Sequence, residues 1–154
     1  RYLLPSGRWK FKEQKNTTLV LRDDRRWLIL SPSKKTFHAQ IVSGDEPRWN
    51  PSMPSQMLLI HGNELWLVTK ESDPRVLWRQ SKPIRQAVWH PEGEDIFLAT
   101  SKEIFALHLS EGREVQMTHL HTWDEIKDLT FAGDDLFIAG TKDHITGLWK
   151  LTVE

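Results

Sequence analysis

One phrase recurs along this 154-residue chain and constrains the fold more than any single residue does. Arg48-Trp49-Asn50-Pro51 leads into Met57-Leu58-Leu59-Ile60 and then Glu64-Leu65-Trp66-Leu67-Val68. Val88-Trp89-His90-Pro91 leads into Asp95-Ile96-Phe97-Leu98-Ala99 and then Glu103-Ile104-Phe105-Ala106-Leu107. Thr130-Phe131-Ala132-Gly133 leads into Asp135-Leu136-Phe137-Ile138-Ala139 and then Thr146-Gly147-Leu148-Trp149-Lys150-Leu151. Trp49 and Trp89 are 40 residues apart, and Trp89 and Phe131 are 42 apart. Short apolar runs rich in β-branched and aromatic side chains, bounded by Pro, Gly and Asp, read as strands. Strands returning at a period of about 40–45 residues are the signature of propeller blades, which bury their faces by stacking on their neighbours.

Each repeat reads as four strands, a to d from the centre outward. In the third repeat these are 84–89, 95–100, 103–109 and 113–117, with Pro91 and Gly93 reversing the chain between the first two. The first repeat is more degenerate: Trp9 and Phe11 share one face of strand a, Leu19–Leu21 is b, Trp27–Leu30 is c and Thr36–Val42 is d. The b strands recur at Val20, Leu58, Phe97 and Phe137, at gaps of 38, 39 and 40. The predicted fold is therefore all-β: a single β-propeller domain of four blades, each a four-stranded antiparallel sheet, at about 1–44, 45–81, 82–121 and 122–154. The fourth repeat stops after strand c, and Tyr2-Leu3-Leu4 precedes the first strand a without a repeat of its own. Two assemblies follow. Either four blades close alone, with Tyr2–Leu4 covering the open edge of the last, or the chain is half of a toroid of about eight blades completed by a second copy or by a lost N-terminal half.

Composition narrows the function classes. Basic and acidic residues balance at 21 each, against the basic excess of a nucleic-acid or anionic-membrane surface. No apolar run approaches the ~18–20 residues of a membrane helix, so no direct membrane insertion is expected. No charged region followed by an apolar stretch opens the chain, and a start at Arg1 fits an excised fragment. Cysteine is absent, which removes disulfides and thiolate metal sites and leaves the compartment open.

The stretches VWHPEGEDIFLAT (88–100) and RWNPSMPSQMLLI (48–60) resemble the W-S-P-D-G-x-x-I-x-F core of TolB-type, WD-repeat-like blades. With Leu4-Pro5-Ser6-Gly7-Arg8-Trp9 at one end and Gly147-Leu148-Trp149-Lys150-Leu151 at the other, nearly the whole chain is similar to propeller regions attached to PEGA domains in bacterial envelope proteins. The fourth repeat departs from the pattern, with Phe131-Ala132-Gly133 in place of Trp-x-Pro. No repeat carries the Gly-His and Trp-Asp pairs of eukaryotic WD repeats, and Trp123-Asp124 falls before strand a, out of phase. The resemblance implies a binding or scaffolding propeller, in the cell envelope, with a protein or peptide as its partner.

No catalytic set is recognisable. His119 and His121 alternate, so on an extended segment they share a face, as two imidazole ligands of a metal require; a solvated connection between blades is the plainer reading. His61, His90, His108 and His144 show no common spacing. Asp23-Asp24 and Asp134-Asp135 sit in turns without a calcium-loop pattern. No G-x-S-x-G, phosphate-binding loop or dinucleotide fingerprint is present, and no cofactor is predicted. The basic runs Arg22…Arg25-Arg26 and Lys34-Lys35 read as solubilising surface, with a phosphate patch as the minor alternative. Trp49, Trp89 and Phe131 repeat near the end of strand a, and Trp66, Phe105 and Leu148 repeat on strand c, as inter-blade packing demands. Trp9, Trp78 and Trp123 are less clearly in phase. The leading expectation is a non-enzymatic interaction scaffold; the alternatives are a carbohydrate-binding propeller stacking sugars on Trp78 or Trp123, and a propeller hydrolase or lyase.

Overall fold

Apolar runs alternating with turn residues produce fifteen strands and no helix among the residues described by this computed structural model, 7–15, 18–23, 26–32, 37–45, 47–69, 72–109 and 115–152. β1 (Lys10–Lys15), β2 (Thr18–Arg22), β3 (Arg26–Pro32) and β4 (Phe37–Ser43) form the first antiparallel sheet. β5 (Arg48–Trp49), β6 (Gln56–His61), β7 (Glu64–Thr69) and β8 (Arg75–Arg79) form the second. β9 (Gln86–Trp89), β10 (Asp95–Ala99), β11 (Glu103–Leu109) and β12 (Val115–Thr122) form the third. β13 (Glu125–Ala132), β14 (Asp135–Lys142) and β15 (Ile145–Thr152) make a three-stranded fourth. Strand order follows chain order in every sheet, so each is a meander of hairpins. β14 turns into β15 through Asp143 and His144, both at positive φ (51° and 64°), the backbone that a two-residue hairpin of matching twist requires.

Three apolar clusters hold the sheets together, one at each seam. Val20, Trp27 and Ile29 meet Met57, Leu59 and Val68 between the first and second sheets. Leu58, Ile60, Leu65, Leu67 and Leu77 meet Trp89, Ile96, Leu98 and Leu107 between the second and third. Phe97, Ala99 and Ile104 meet Ile126, Leu129, Leu136 and Ile138 between the third and fourth. Successive side chains of a strand point to opposite faces, so β6 and β10 feed a seam on each side and read as continuous apolar runs. No cluster joins the fourth sheet to the first among the described residues, and Leu148 on the outward face of the fourth is 70% exposed. The sheets form an open arc, which corrects the expectation of four blades closing alone. The proposed closing segment, Tyr2–Leu4, lies outside the described residues.

Polar contacts also cross the seams. The Trp89 indole donates to the Arg48 carbonyl at 3.0 Å. Asn50, fully buried, donates from Nδ2 to the Gly93 carbonyl of the next sheet at 2.9 Å, while its Oδ1 accepts the backbone amides of Ser52 and Met53. Gly93 turns at φ 83°, and a Cβ there would meet Asn50 Oδ1 at 2.4 Å, so both the backbone and the close approach demand glycine. The residue between Trp and Pro in the repeated phrase thus clamps one blade to the next turn.

Two register details differ from the sequence reading. The strand-c residue of the fourth sheet that packs on the preceding sheet, as Trp66 and Phe105 do in theirs, is Trp149; Leu148 faces outward. A one-residue slip swaps faces, and the Trp149 indole is the large ring that the seam accommodates. Strand d of the third sheet runs to Thr122, so His119 and His121 lie inside β12 and not in a connection.

Candidate functional site

The inner strands adjoin, with β9 lying against β5 and β13. Their repeated phrases end on one side, where they surround a groove of about 610 Å³. Pro47, Arg48, Trp49 and Pro51 come from the second repeat, Val88, Trp89 and Pro91 from the third, and Thr130 and Phe131 from the fourth; the first sheet adds Lys12 and Trp27. The groove inherits its chemistry from the repeat: large rings that pack the seams expose their remaining edges to it, and prolines follow the inner strands of the second and third repeats. Trp49 is half-buried, and its indole Nε1 is buried with no hydrogen-bond partner among the described residues. His90 packs edge-on to Phe131, with ring centroids 5.1 Å apart, and Phe131 packs likewise on Phe97 at 5.2 Å.

Lys12 reaches this opening because the β1–β2 ladder slips between Phe11 and Glu13. The bulge leaves Lys12 without a cross-strand partner and re-aims it. Among the described residues Lys12 and Arg48 are the charged members of the lining, and no carboxylate stands beside them there.

The histidine pair predicted on one face is separated. A bulge in the β11–β12 ladder pairs His121 with Ile104 and His119 with Phe105, adjacent residues that point to opposite faces. The His119 ring packs edge-on to Phe105 at 5.2 Å, on the side of the second sheet, whereas Ile104 belongs to the seam with the fourth. No three His, Asp or Glu gather among the described residues. His108 Nδ1 pairs with Asp95 Oδ1 at 2.7 Å, and the His144 backbone amide donates to Asp124 at 2.8 Å. Asp23 takes the Arg26 guanidinium, and Lys150 meets Asp135 at 2.8 Å. Arg25, Lys34 and Lys35 lie outside the described residues.

The tryptophans weighed as sugar platforms are packing residues here. Trp123 is 6% exposed and stacks edge-on with Trp149 at 5.6 Å; Trp78 packs against the seam between the second and third sheets. Away from the groove, Glu64 accepts the Trp66 indole at 2.9 Å and pairs with Arg79 at 2.5 Å. The indole hydrogen bond, then the guanidinium, hold its carboxyl below the usual 4.5.

Sequence reasoning placed the rings of this groove but missed Asn50 and Lys12. Asn50 occupies the variable position of a repeated phrase, and Lys12 depends on a bulge that no local pattern announces.

No protein-family model matches the sequence, and no curated protein matches it. Among solved structures the chain is similar to Kluyveromyces lactis Hsv2, with a TM-score of 0.59 and 6% identity, over 88% of this chain and 47% of that one. It is similar also to the N-terminal domain of Nup159, with a TM-score of 0.59 and 12% identity, over 89% of this chain and 42% of that one. The chain thus spans less than half the length of either. Both are β-propellers, and at such identities the likeness is one of fold: the sheets of this chain are propeller blades.

Proposed function

We propose that this chain is a non-enzymatic interaction scaffold that takes a protein segment or peptide into the groove where β5, β9 and β13 adjoin. The observation that carries the reading is the lining: copies of one phrase deliver rings and prolines to a single opening. Rigid rings bring contact area at little conformational cost, which suits an extended segment. Panning a random-peptide library on the chain, followed by hydrogen exchange of a selected complex, tests this. Protection is expected at 47–51, 88–91 and 130–131; protection confined to the outer strands β8 and β12 would sink the reading.

A second part of the proposal concerns completion. Phe137 and Ala139 on the outward face of the fourth blade repeat Phe97 and Ala99, and Leu148, opposite Ala139, repeats Ile104, opposite Ala99. Phe97, Ala99 and Ile104 are buried by the blade that follows; Leu148 has no such cover among the described residues. We assign this face to a further blade from a second copy of the chain, two arcs making one toroid. Sizing chromatography over a range of concentrations checks it, and a monomer throughout counts against it. The TolB-like blade type and a place in the bacterial envelope stand on the sequence resemblance, and the division at about 1–44, 45–81, 82–121 and 122–154 within one domain stands on the repeat; localising the full-length protein in a bacterial host tests the envelope placement.

A further inference from the structure

Beside the ring-lined groove runs a strip of positive charge on a chain whose net charge is zero. Arg8, Lys10 and Lys12 follow one another at every second residue at the start of the first blade, and together with Arg22 they line a cleft of about 420 Å³. Lys12 belongs to both openings, so the strip runs on into the groove and meets Arg48 there. The acid in the cleft, Asp23, is engaged by Arg26 through its backbone amide and its guanidinium. None of the five cations has a carboxylate partner among the described residues. Lys10 and Arg22 stand directly opposite each other across β1 and β2, a like-charge pair that disfavours the hairpin unless an anion lies between or beside them.

We infer that the partner of this groove is an acidic, extended peptide segment. Its apolar side chains seat between Trp49, Trp89 and Phe131, and its carboxylates lie on Lys12, Arg48 and the strip beyond. The inference rests on the scaffold reading and adds the partner's charge. Rings with adjoining cations would also suit single-stranded nucleic acid, but base stacking needs open ring faces. Trp89 is only 6% exposed, and the rings of the groove are committed to the seams. A peptide needs only ring edges and short ion pairs, and guanidinium and ammonium groups bind carboxylates strongly where water is partly excluded.

The test reads the composition of peptides selected on the full chain, then their binding by fluorescence anisotropy. Enrichment of Asp and Glu beside an apolar residue is expected, with affinity falling as salt rises. Lys12→Glu with Arg48→Glu should weaken binding by roughly tenfold or more, and Lys12→Arg should preserve it, with tryptophan fluorescence confirming that each variant is folded. Selected peptides without acidic enrichment, or a Glu-to-Gln peptide bound as well as its parent, would overturn the acidic inference and leave the scaffold reading in place. No selected peptide at all would overturn both. Tighter binding of an oligothymidylate, or of phosphatidylserine vesicles, than of the acidic peptide would also overturn it, in favour of a phosphate ligand.

Discussion

The third and fourth blades carry nearly the same strand b, Asp95-Ile96-Phe97-Leu98-Ala99 and Asp135-Leu136-Phe137-Ile138-Ala139, and meet different fates. Phe97 and Ala99 are each 1% exposed, while Phe137 and Ala139 remain half-buried and Leu148 beside them stands bare. Their faces toward the preceding blade are equally packed, with Leu98 and Ile138 both buried. The difference teaches that burial here is a property of the stack: an apolar side chain is core only when a blade packs on the face it points to.

The sharpest way to break the comparison is to truncate the equivalent rings. Phe97→Ala should cost about 3–5 kcal/mol in chemical denaturation, because it opens a cavity in a closed seam. Phe137→Ala should cost under about 1 kcal/mol in dilute protein. Equal losses would mean that the fourth blade is already covered in solution.

The turns between strands a and b offer the next contrast. Gly93→Ala meets both a positive φ and the clamp of Asn50, and should cost about 2–3 kcal/mol. Gly133→Ala keeps a φ of 60° but meets nothing within 4 Å, and should cost about 1 kcal/mol. Asn50→Ala should resemble Gly93→Ala, at about 2 kcal/mol, since it strips partners from a buried turn. Thermal unfolding followed by circular dichroism ranks the three.

Leu148→Lys probes the bare face directly. It should leave dilute-protein stability within about 0.5 kcal/mol while abolishing any concentration-dependent association. Association that survives the change would place the contact elsewhere.

The smallest effect separates the outer strand pair of the second blade from the last strand. Glu64 ties β7 to β8 through Arg79, whereas β15 has no strand outside it among the described residues. The carboxyl of Glu64 is held below its ordinary value in the folded state. Its contribution is therefore present above the unfolded carboxyl range and lost as pH falls through the folded value. Glu64→Gln should thus be slightly less stable than the parent at neutral pH, with the gap closing in acid, as denaturant midpoints at several pH values would show.

Much of the fold was legible because its signals are local and periodic. Strand c of the third blade, Glu103–Leu109, begins and ends where the apolar alternation and its flanking turns put it. The seam positions of Trp49, Trp89 and Phe131 followed from their common phase. The misreading of Leu148 for Trp149 came from aligning residue types across an imperfect repeat, where a single step exchanges the faces. His119 and His121 were assigned one face by simple alternation, and a bulge undid it. Lys12 entered the groove by the same kind of irregularity.

By itself the sequence determined the strands, their period and which positions are apolar, because alternation and turn chemistry act over a few residues. The tertiary structure alone decided that the arc stays open, that Asn50 clamps the turn of the next blade, and that the rings of separate repeats share one groove with Lys12 and Arg48. Those outcomes depend on side chains about forty residues apart meeting across seams, and on bulges whose one-residue shifts no local pattern encodes.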